Sequence, residues 1–131
     1  MKIRFIFIIL VAITCFSCQP KGQSDISEKQ FNIEEARFVM FPTENMWTFL
    51  KLDSQNGKIW QVQYSVDEND FRGEIELNNK SLVSGDKTQN GRFTLYPTKN
   101  MFNFILLDQV DGRMWQVQWS TKEDGRLIIP M

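Results

Sequence analysis

One 29-residue segment occurs twice in this chain. The stretch from Arg37 to Ser65, RFVMFPTENMWTFLKLDSQNGKIWQVQYS, recurs without a gap from Arg92 to Ser120 as RFTLYPTKNMFNFILLDQVDGRMWQVQWS, and 15 of the 29 positions are identical. A fixed period in sequence indicates a repeated unit of structure whose apolar face is buried by its partner copy. The two copies are therefore predicted to fold together.

Turn residues divide each copy into four short strands. Pro42 ends the first strand, because proline cannot donate a ladder hydrogen bond. AsnGly at Gly57 and AspGly at Gly112 are typical of β-hairpins, because glycine takes the positive φ that the turn requires. The predicted strands are 37–41, 46–53, 58–65 and 71–77, with equivalent strands in the second copy, the last of them 126–129.

The predicted fold is all-β. Eight antiparallel strands form two tandem four-stranded meanders, repeats 37–77 and 92–131, related by an approximate twofold axis and closed as one small barrel or packed as a sandwich. Alternation along a strand assigns side chains to opposite faces. The predicted core positions are Trp60, Val62, Tyr64, Trp115, Val117 and Trp119, and the glutamines between them are predicted to point the other way.

The first residues have the layout of an export signal. Lys2 and Arg4 precede a largely apolar segment, 5–16, which is followed by the small Ser17 and then Cys18. This layout resembles the signal of a bacterial lipoprotein of the Bacteroidota type. The resemblance covers residues 1–18 and implies that 1–17 are removed and that Cys18 carries the lipid. Secretion with an unmodified Cys18 is the alternative, and lipidation of Cys15 is a third.

Residues 18–30 are polar and are predicted to form a flexible tether, followed by a single β domain over 31–131. Two or more acyl chains on one cysteine would anchor it stably, since each buried CH₂ contributes ~0.8 kcal/mol. The expected location is the cell envelope, at the outer membrane and facing the periplasm or the cell surface. The sequence does not indicate an oligomeric state.

Several classes of chemistry lack the residues that they need. The chain has no histidine, and its two cysteines both lie at the signal. Imidazole catalysis, thiol nucleophiles and the usual zinc sites are therefore not expected, and no phosphate-binding glycine motif is present. The residues from Cys18 onward carry 13 Lys and Arg against 16 Asp and Glu, without a basic cluster, which argues against a nucleic-acid partner. We expect no cofactor, no metal and no enzymatic activity.

A pair of carboxylates is what remains for a hydrolase. Asp53 and Asp108 occupy equivalent positions in the two copies, and glycoside hydrolysis uses two carboxyl groups in different roles. Equivalent positions favour equivalent environments, whereas an acid and a base need different ones. Each Asp also begins a hairpin turn, where its side chain can accept backbone N–H groups. The turn role is the prediction.

The candidate binding surface combines amide and aromatic side chains. Glutamine amides on one sheet face suit hydrogen bonding to a glycan or a protein backbone, and exposed aromatic rings can stack on sugars or anchor a partner. A solvated outer face and ordinary core packing are the competing interpretations. The candidates are Trp47, Phe102, Gln61, Gln63, Gln116 and Gln118.

The functional expectation is a lipid-anchored envelope protein that acts as a non-catalytic binding module for a protein or a glycan. An inhibitor or immunity protein is one version of this hypothesis. A carboxylate-based glycoside hydrolase of the envelope and a purely structural envelope lipoprotein are the alternatives.

Overall fold

The computed structural model describes residues 36–131. The predicted signal peptide, the tether and residues 31–35 lie outside this range. Two short 3₁₀ turns, Gly85–Lys87 and Glu123–Gly125, accompany eight strands. The strands are β1 Phe38–Pro42, β2 Thr48–Asp53, β3 Lys58–Gln63, β4 Gly73–Asn78, β5 Phe93–Pro97, β6 Asn103–Asp108, β7 Met114–Gln118 and β8 Leu127–Pro130.

The strands form two antiparallel meanders, one for each copy of the repeat. Sheet A has the order β1-β2-β3-β4, and sheet B has the order β5-β6-β7-β8. The all-β prediction and the eight strands are confirmed. The sheets stay open and pack as a sandwich, with β2 near β5 and β4 near β8. Of the two predicted closures, barrel and sandwich, the sandwich is the one that forms.

Equivalent turns stop the strands at the same places in both copies. The Thr43 hydroxyl donates to the Thr48 carbonyl at 2.8 Å, and the Asn45 side chain accepts from the Trp47 backbone N–H at 2.9 Å. Thr98 and Asn100 repeat these bonds in the second copy. Because this turn uses residues 43–47, β2 begins at Thr48 and not at Met46 as predicted.

The predicted hairpins are confirmed. Gly57 has φ 77° and donates to the Asp53 carbonyl at 3.0 Å, and Gly112 has φ 72° and donates to the Asp108 carbonyl at 2.8 Å. Gly57 has a packing role as well, since an added Cβ would lie 2.7 Å from Leu82 Cδ1. Leu82 belongs to the linker between the copies, which therefore closes over the end of sheet A.

Ser54 joins the two sheets at this same end. Its carbonyl accepts from Phe93 N at 2.8 Å, and its hydroxyl accepts from Gly91 N at 2.9 Å. The second copy has Gln109 at the equivalent position, and Gln109 is exposed. Ser54 thus links sheet A to the start of sheet B, whereas the equivalent position in sheet B faces solvent.

The two sheets bury opposite faces of the repeat. In sheet A the inner face holds Leu50, Leu52, Ile59 and Gln61, whose equivalents Ile105, Leu107, Met114 and Gln116 form the outer face of sheet B. We call these the Leu50 face and the Ile105 face. In sheet B the inner face holds Phe104, Leu106, Trp115, Val117 and Trp119, whose equivalents Phe49, Lys51, Trp60, Val62 and Tyr64 form the outer face of sheet A. We call these the Trp115 face and the Trp60 face.

The core prediction is therefore right for one copy and wrong for the other. Trp115, Val117 and Trp119 are buried, as predicted. Trp60 and Val62 are only half-buried and Tyr64 is 43% exposed, because sheet A turns its other face inward. A twofold axis that exchanged the two packed sheets would bury equivalent residues in both. The two sheets bury non-equivalent faces, so their packing corresponds to head-to-tail stacking and departs from the predicted axis.

Candidate functional site

A small cavity of ≈ 230 Å³ opens at the end of sheet A, beside the turns that precede β2 and follow β3. Thr121, in the loop after β7, is the residue of the second copy that lines this cavity. The volume is below the ~300 Å³ at which pockets for drug-sized ligands begin, which suits one sugar ring or one short side chain. The cavity is lined by Asn45, Trp47, Thr48, Gln63, Tyr64, Ser65, Val66, Asp67, Asp70 and Thr121.

Two aromatic rings form the apolar part of this Trp47 cavity. Trp47 and Tyr64 meet edge to face with their ring centroids 5.3 Å apart, and Tyr64 also lies 6.0 Å from Phe49. Within residues 36–131 the Trp47 indole N–H donates no hydrogen bond, whereas the Trp119 indole N–H donates to the Met101 carbonyl at 2.8 Å. An aromatic surface with an unused donor is therefore available to a ligand at Trp47.

The acidic loop on the other side of the cavity is held by its own hydrogen bonds. Ser65 Oγ donates to Asp70 Oδ2 at 2.9 Å and accepts from Asp67 N at 3.0 Å. Asp67 Oδ1 accepts from Asn69 N at 2.9 Å, and the Arg72 guanidinium donates to the Asp67 carbonyl at 3.0 Å. Both carboxylates are exposed, and they add acceptors that suit hydroxyl or ammonium groups.

The predicted binding residues are divided among four places, one of which is the core, where Gln61 lies. Trp47 and Gln63 both line the cavity. Phe102 is 43% exposed at the equivalent end of sheet B, where its ring lies 5.2 Å from Trp119. Gln116 and Gln118 lie on the outer Ile105 face, where their amides donate to Asn103 Oδ1 at 2.8 Å and to the Gly125 carbonyl at 2.9 Å.

The expectation that all four glutamines share one exposed face is wrong. Gln61 points into the core with 0% of its side chain exposed, and neither its amide nitrogen nor its amide oxygen has a hydrogen-bond partner in the described part of the chain. The reason is the inversion of sheet A, because the Leu50 face that carries Gln61 is buried while its equivalent in sheet B is not. Gln61 is therefore unavailable to an external ligand.

The two hairpin aspartates have the predicted turn role. Asp53 accepts from Gln55 N at 3.1 Å and from Arg37 Nη2 at 3.1 Å, and Arg37 is half-exposed. Asp108 is fully buried, and its Oδ1 accepts from Val110 N at 3.0 Å and from Asp111 N at 3.2 Å. Their carboxylates are occupied by the turns, and neither Asp lines the Trp47 cavity.

The Asp108 carboxylate also forms a buried ion pair with Arg92, whose two nitrogens lie 3.0 and 2.9 Å from its oxygens. Burial by itself raises the pKa of Asp108, but hydrogen bonds from Arg92, from the turn backbone and from Arg113 outweigh it and hold the pKa at about 2. The Asp108 hydrogen bond raises the pKa of Arg92 in turn. Both groups are charged at neutral pH and act in folding.

Sequence reasoning missed Tyr64, Asp67 and Asp70 as members of the site. Alternation along the third strand, with Trp60 and Val62, predicted a core position for Tyr64. The two aspartates lie in a loop where the copies diverge, since Lys122 and Gly125 occupy their equivalent positions in the second copy. A comparison of loops between the copies is the signal that would have identified them, because only the first copy has acidic side chains at these two positions.

A wider groove of ≈ 630 Å³ lies between the edge strands β1 and β5. Its walls include Val39, Phe41, Phe93 and Gln109, and no charged side chain lines it. None of the predicted binding residues reaches this groove.

Over residues 36–131, no cluster of three or more potential metal-ligating Cys, His, Asp or Glu side chains occurs, and no helix is long and apolar enough to cross a membrane.

Comparisons with protein-family models, with curated proteins and with solved structures gave no match to this chain.

Proposed function

We propose that this protein is a lipid-anchored component of the cell envelope whose β domain binds a glycan in the Trp47 cavity without transforming it. The observation that supports this proposal is the grouping of Trp47 and Tyr64 with amide, hydroxyl and carboxylate groups in one small cavity. Sugar rings offer apolar C–H faces for aromatic stacking and hydroxyl groups for hydrogen bonding.

Each part of the cavity has a defined task in this proposal. Trp47 supplies the stacking surface and its indole donor. Gln63 and Asn45 supply amides, although the Asn45 oxygen is already used by the Trp47 backbone. Asp67 and Asp70 accept hydrogen bonds from sugar hydroxyls. Their negative charge also favours sugars that carry an amino group, because no Lys or Arg lines the cavity.

The anchor is the second part of the proposal and rests on the signal-like residues 1–18. Lipidation of Cys18 would place the binding domain at the outer membrane, facing the periplasm or the surface. Replacement of Cys18 by Ser is expected to move the protein from the membrane to the soluble fraction. Membrane association that persists in Cys18→Ser and in the double variant with Cys15→Ser would contradict the anchor.

The binding test compares equivalent aromatic residues at the two sheet ends. Trp47→Ala should weaken the binding of envelope oligosaccharides at least tenfold, since a central aromatic anchor contributes on the order of 2 kcal/mol. Phe102→Ala is the matched control and should leave affinity unchanged. Titration calorimetry with neutral and amino-sugar oligosaccharides measures both. Equal losses for the two variants, or no binding by the wild type, would exclude the cavity as a glycan site.

A carboxylate-based hydrolase is the second candidate, and the observation that favours it is that Asp67 and Asp70 line the same cavity. A hydrolase requires one acid and one nucleophile or base. Incubation of the bound oligosaccharide with the wild type should release no shorter product. Product that disappears in Asp70→Asn, while binding remains, would establish the hydrolase and reject the non-catalytic module.

A further inference from the structure

We infer that copies of this chain associate head to tail, with the outer Trp60 face of one copy on the outer Ile105 face of the next, and that the stack closes into a ring. This inference concerns assembly, and it shares one residue with the Trp47 cavity, Tyr64, which follows β3 at the end of the Trp60 face. Its basis is that the chain already contains one such contact, between its own two sheets.

The internal contact defines the kind of interface. It joins the Leu50 face of sheet A to the Trp115 face of sheet B. The outer Ile105 face of sheet B is the sequence equivalent of the Leu50 face. The outer Trp60 face of sheet A is the sequence equivalent of the Trp115 face. The Trp60 face keeps Phe38, Phe49, Trp60 and Val62 where sheet B has Phe93, Phe104, Trp115 and Val117. The Ile105 face of one copy could therefore pack on the Trp60 face of a second copy, as the Leu50 face packs on the Trp115 face within one chain.

Both outer faces are apolar enough for such a contact. On the Trp60 face, Phe38 and Met40 are about half-exposed and the Phe38 ring lies 6.4 Å from Trp60. On the Ile105 face, Tyr96, Met114 and Ile129 are exposed to a similar degree, beside the half-buried Ile105 and Leu107. Several exposed apolar side chains on one sheet face are typical of an interaction site.

The polar groups on the two outer faces also suit each other. Lys51 replaces the Leu106 of the core, lies 4.6 Å from the Trp60 ring and pairs with Glu74. The opposing Ile105 face presents the amides of Gln116 and Gln118, which can donate to a carboxylate and accept from an ammonium. The internal contact lacks this match, since Gln61 meets the apolar Trp115 face without a partner.

The size of each face favours closure over a single contact. Six-residue strands span ~20 Å and four strands span ~19 Å, so one contact buries roughly 800 Å² in total. This is below the ~1,200 Å² of a standard stable interface. In a ring the last contact forms within an existing complex and loses no further translational freedom. Rings of about four to eight four-stranded sheets are the propeller architecture, which corresponds to two, three or four chains.

The test measures the mass of the full chain by native mass spectrometry over a wide range of concentration. The expected result is one species of two, three or four chains whose mass does not change with concentration. A wild-type protein that stays monomeric throughout would overturn the inference. Species that keep growing with concentration would overturn closure, because they indicate an open filament.

Two variants test the direction of the contact. Val62→Arg on the Trp60 face and Ile105→Arg on the Ile105 face should each give monomers. Their mixture should give a one-to-one pair at the highest concentration, because each variant keeps one intact face. An Ile105→Arg protein that forms a symmetric dimer would show that two Trp60 faces meet, against the inference. Ser84→Arg, in the exposed linker, is the control and should keep the wild-type mass.

Folding is checked independently by urea denaturation of each variant. If either substitution abolishes the cooperative transition, Phe38→Arg or Ile129→Arg replaces it, since both side chains are about half-exposed on the same outer faces. Folded variants of both faces that still assemble like the wild type would refute the contact.

Discussion

The two copies of the repeat have nearly the same strands, turns and hairpins, yet they use them in opposite orientations. Trp115 and Trp60 are equivalent residues, and one is in the core while the other is on the surface. Gln61 and Gln116 differ in the reverse sense. The repeat thus specifies a sheet with two usable faces, and its position in the stack decides which face is inside. Burial in this protein follows from the arrangement of sheets more than from the local pattern.

This difference also explains where charge is tolerated. Lys51 in sheet A and Leu106 in sheet B are equivalent, and only the outer position carries a charge. At the hairpin ends the two copies differ in the exposure of the arginine that pairs with the turn aspartate. The Arg37 side chain is 52% exposed beside Asp53, whereas Arg92 is buried beside Asp108. The second copy therefore has a fully buried ion pair, whereas the first has a pair in which Asp53 is buried and Arg37 is half-exposed.

The largest expected effect comes from the two tryptophans. Trp115→Ala should lower the free energy of unfolding by ~3–5 kcal/mol, because it leaves a cavity between the sheets. Trp60→Ala should cost about 1 kcal/mol, since the half-buried ring lies on an outer face beside Phe38 and Lys51. Urea denaturation at low protein concentration measures both. Equal losses would mean that the two faces are equally buried, contrary to the head-to-tail packing.

The next effect separates the two hairpin aspartates. Asp108→Ala should destabilise the protein by ~3 kcal/mol, because it removes the buried partner of Arg92, which keeps only Asp111 at 2.7 Å, and leaves the turn N–H groups without an acceptor. Asp53→Ala should cost about 1 kcal/mol, because Arg37 can be solvated. The comparison uses urea midpoints at neutral pH. A loss at Asp53 as large as that at Asp108 would show that the exposed pair is no weaker than the buried one.

The comparison of Gln61 with Gln116 is expected to show stabilisation, whereas the substitutions above destabilise the protein. Gln61→Leu should raise the free energy of unfolding by ~1–2 kcal/mol, because it removes a buried amide without a partner. Gln116→Leu should change it by less than ~0.5 kcal/mol, since this amide is only half-buried and its bond to Asn103 is near the surface. Thermal or urea unfolding measures the difference. Destabilisation by Gln61→Leu would indicate that the amide has a partner in solution.

Most of the fold was predictable from the repeat and its turn residues. Pro42, Gly57 and Gly112 mark turns with local chemical causes, so the meanders follow from short-range sequence. The inward face of sheet A was not predictable in this way. Trp60, Val62 and Tyr64 match the pattern of core residues, but the alternative face, with Leu50, Leu52 and Ile59, is also apolar. Alternation identifies which side chains lie together, and only the second sheet determines which set is buried.

The candidate site was predictable only in part, for a related reason. Trp47 and Gln63 were named from the sequence, but the cavity depends on Thr121 of the second copy, which no local pattern connects with them. The loop carrying Asp67 and Asp70 differs from the equivalent loop of the second copy at both of these positions, so the repeat gave no guide to their role. Sites formed where two units meet need the packing of those units first.

Acid denaturation provides the last comparison between the copies. The pKa of Asp108 is about 2 in the folded protein against an ordinary value of 3.8, because hydrogen bonds from Arg92 and the turn backbone outweigh the effect of burial. A lowered pKa means that the folded state binds the proton less readily than the unfolded chain. The stabilisation is therefore complete above pH 3.8 and is lost as the pH falls toward 2.

The measurement is the free energy of unfolding across that pH range for the wild type and Asp108→Asn, with Asp53→Asn as the variant at the equivalent turn. Asp108→Asn should start lower than the wild type and fall less steeply, since it has no proton to bind at this position. Arg92 keeps its charge throughout, because the hydrogen bond to Asp108 raises its pKa further above the ordinary value of an arginine. An Asp108→Asn slope as steep as that of the wild type would assign the acid sensitivity to other carboxylates and would remove the buried pair of the second copy as its cause.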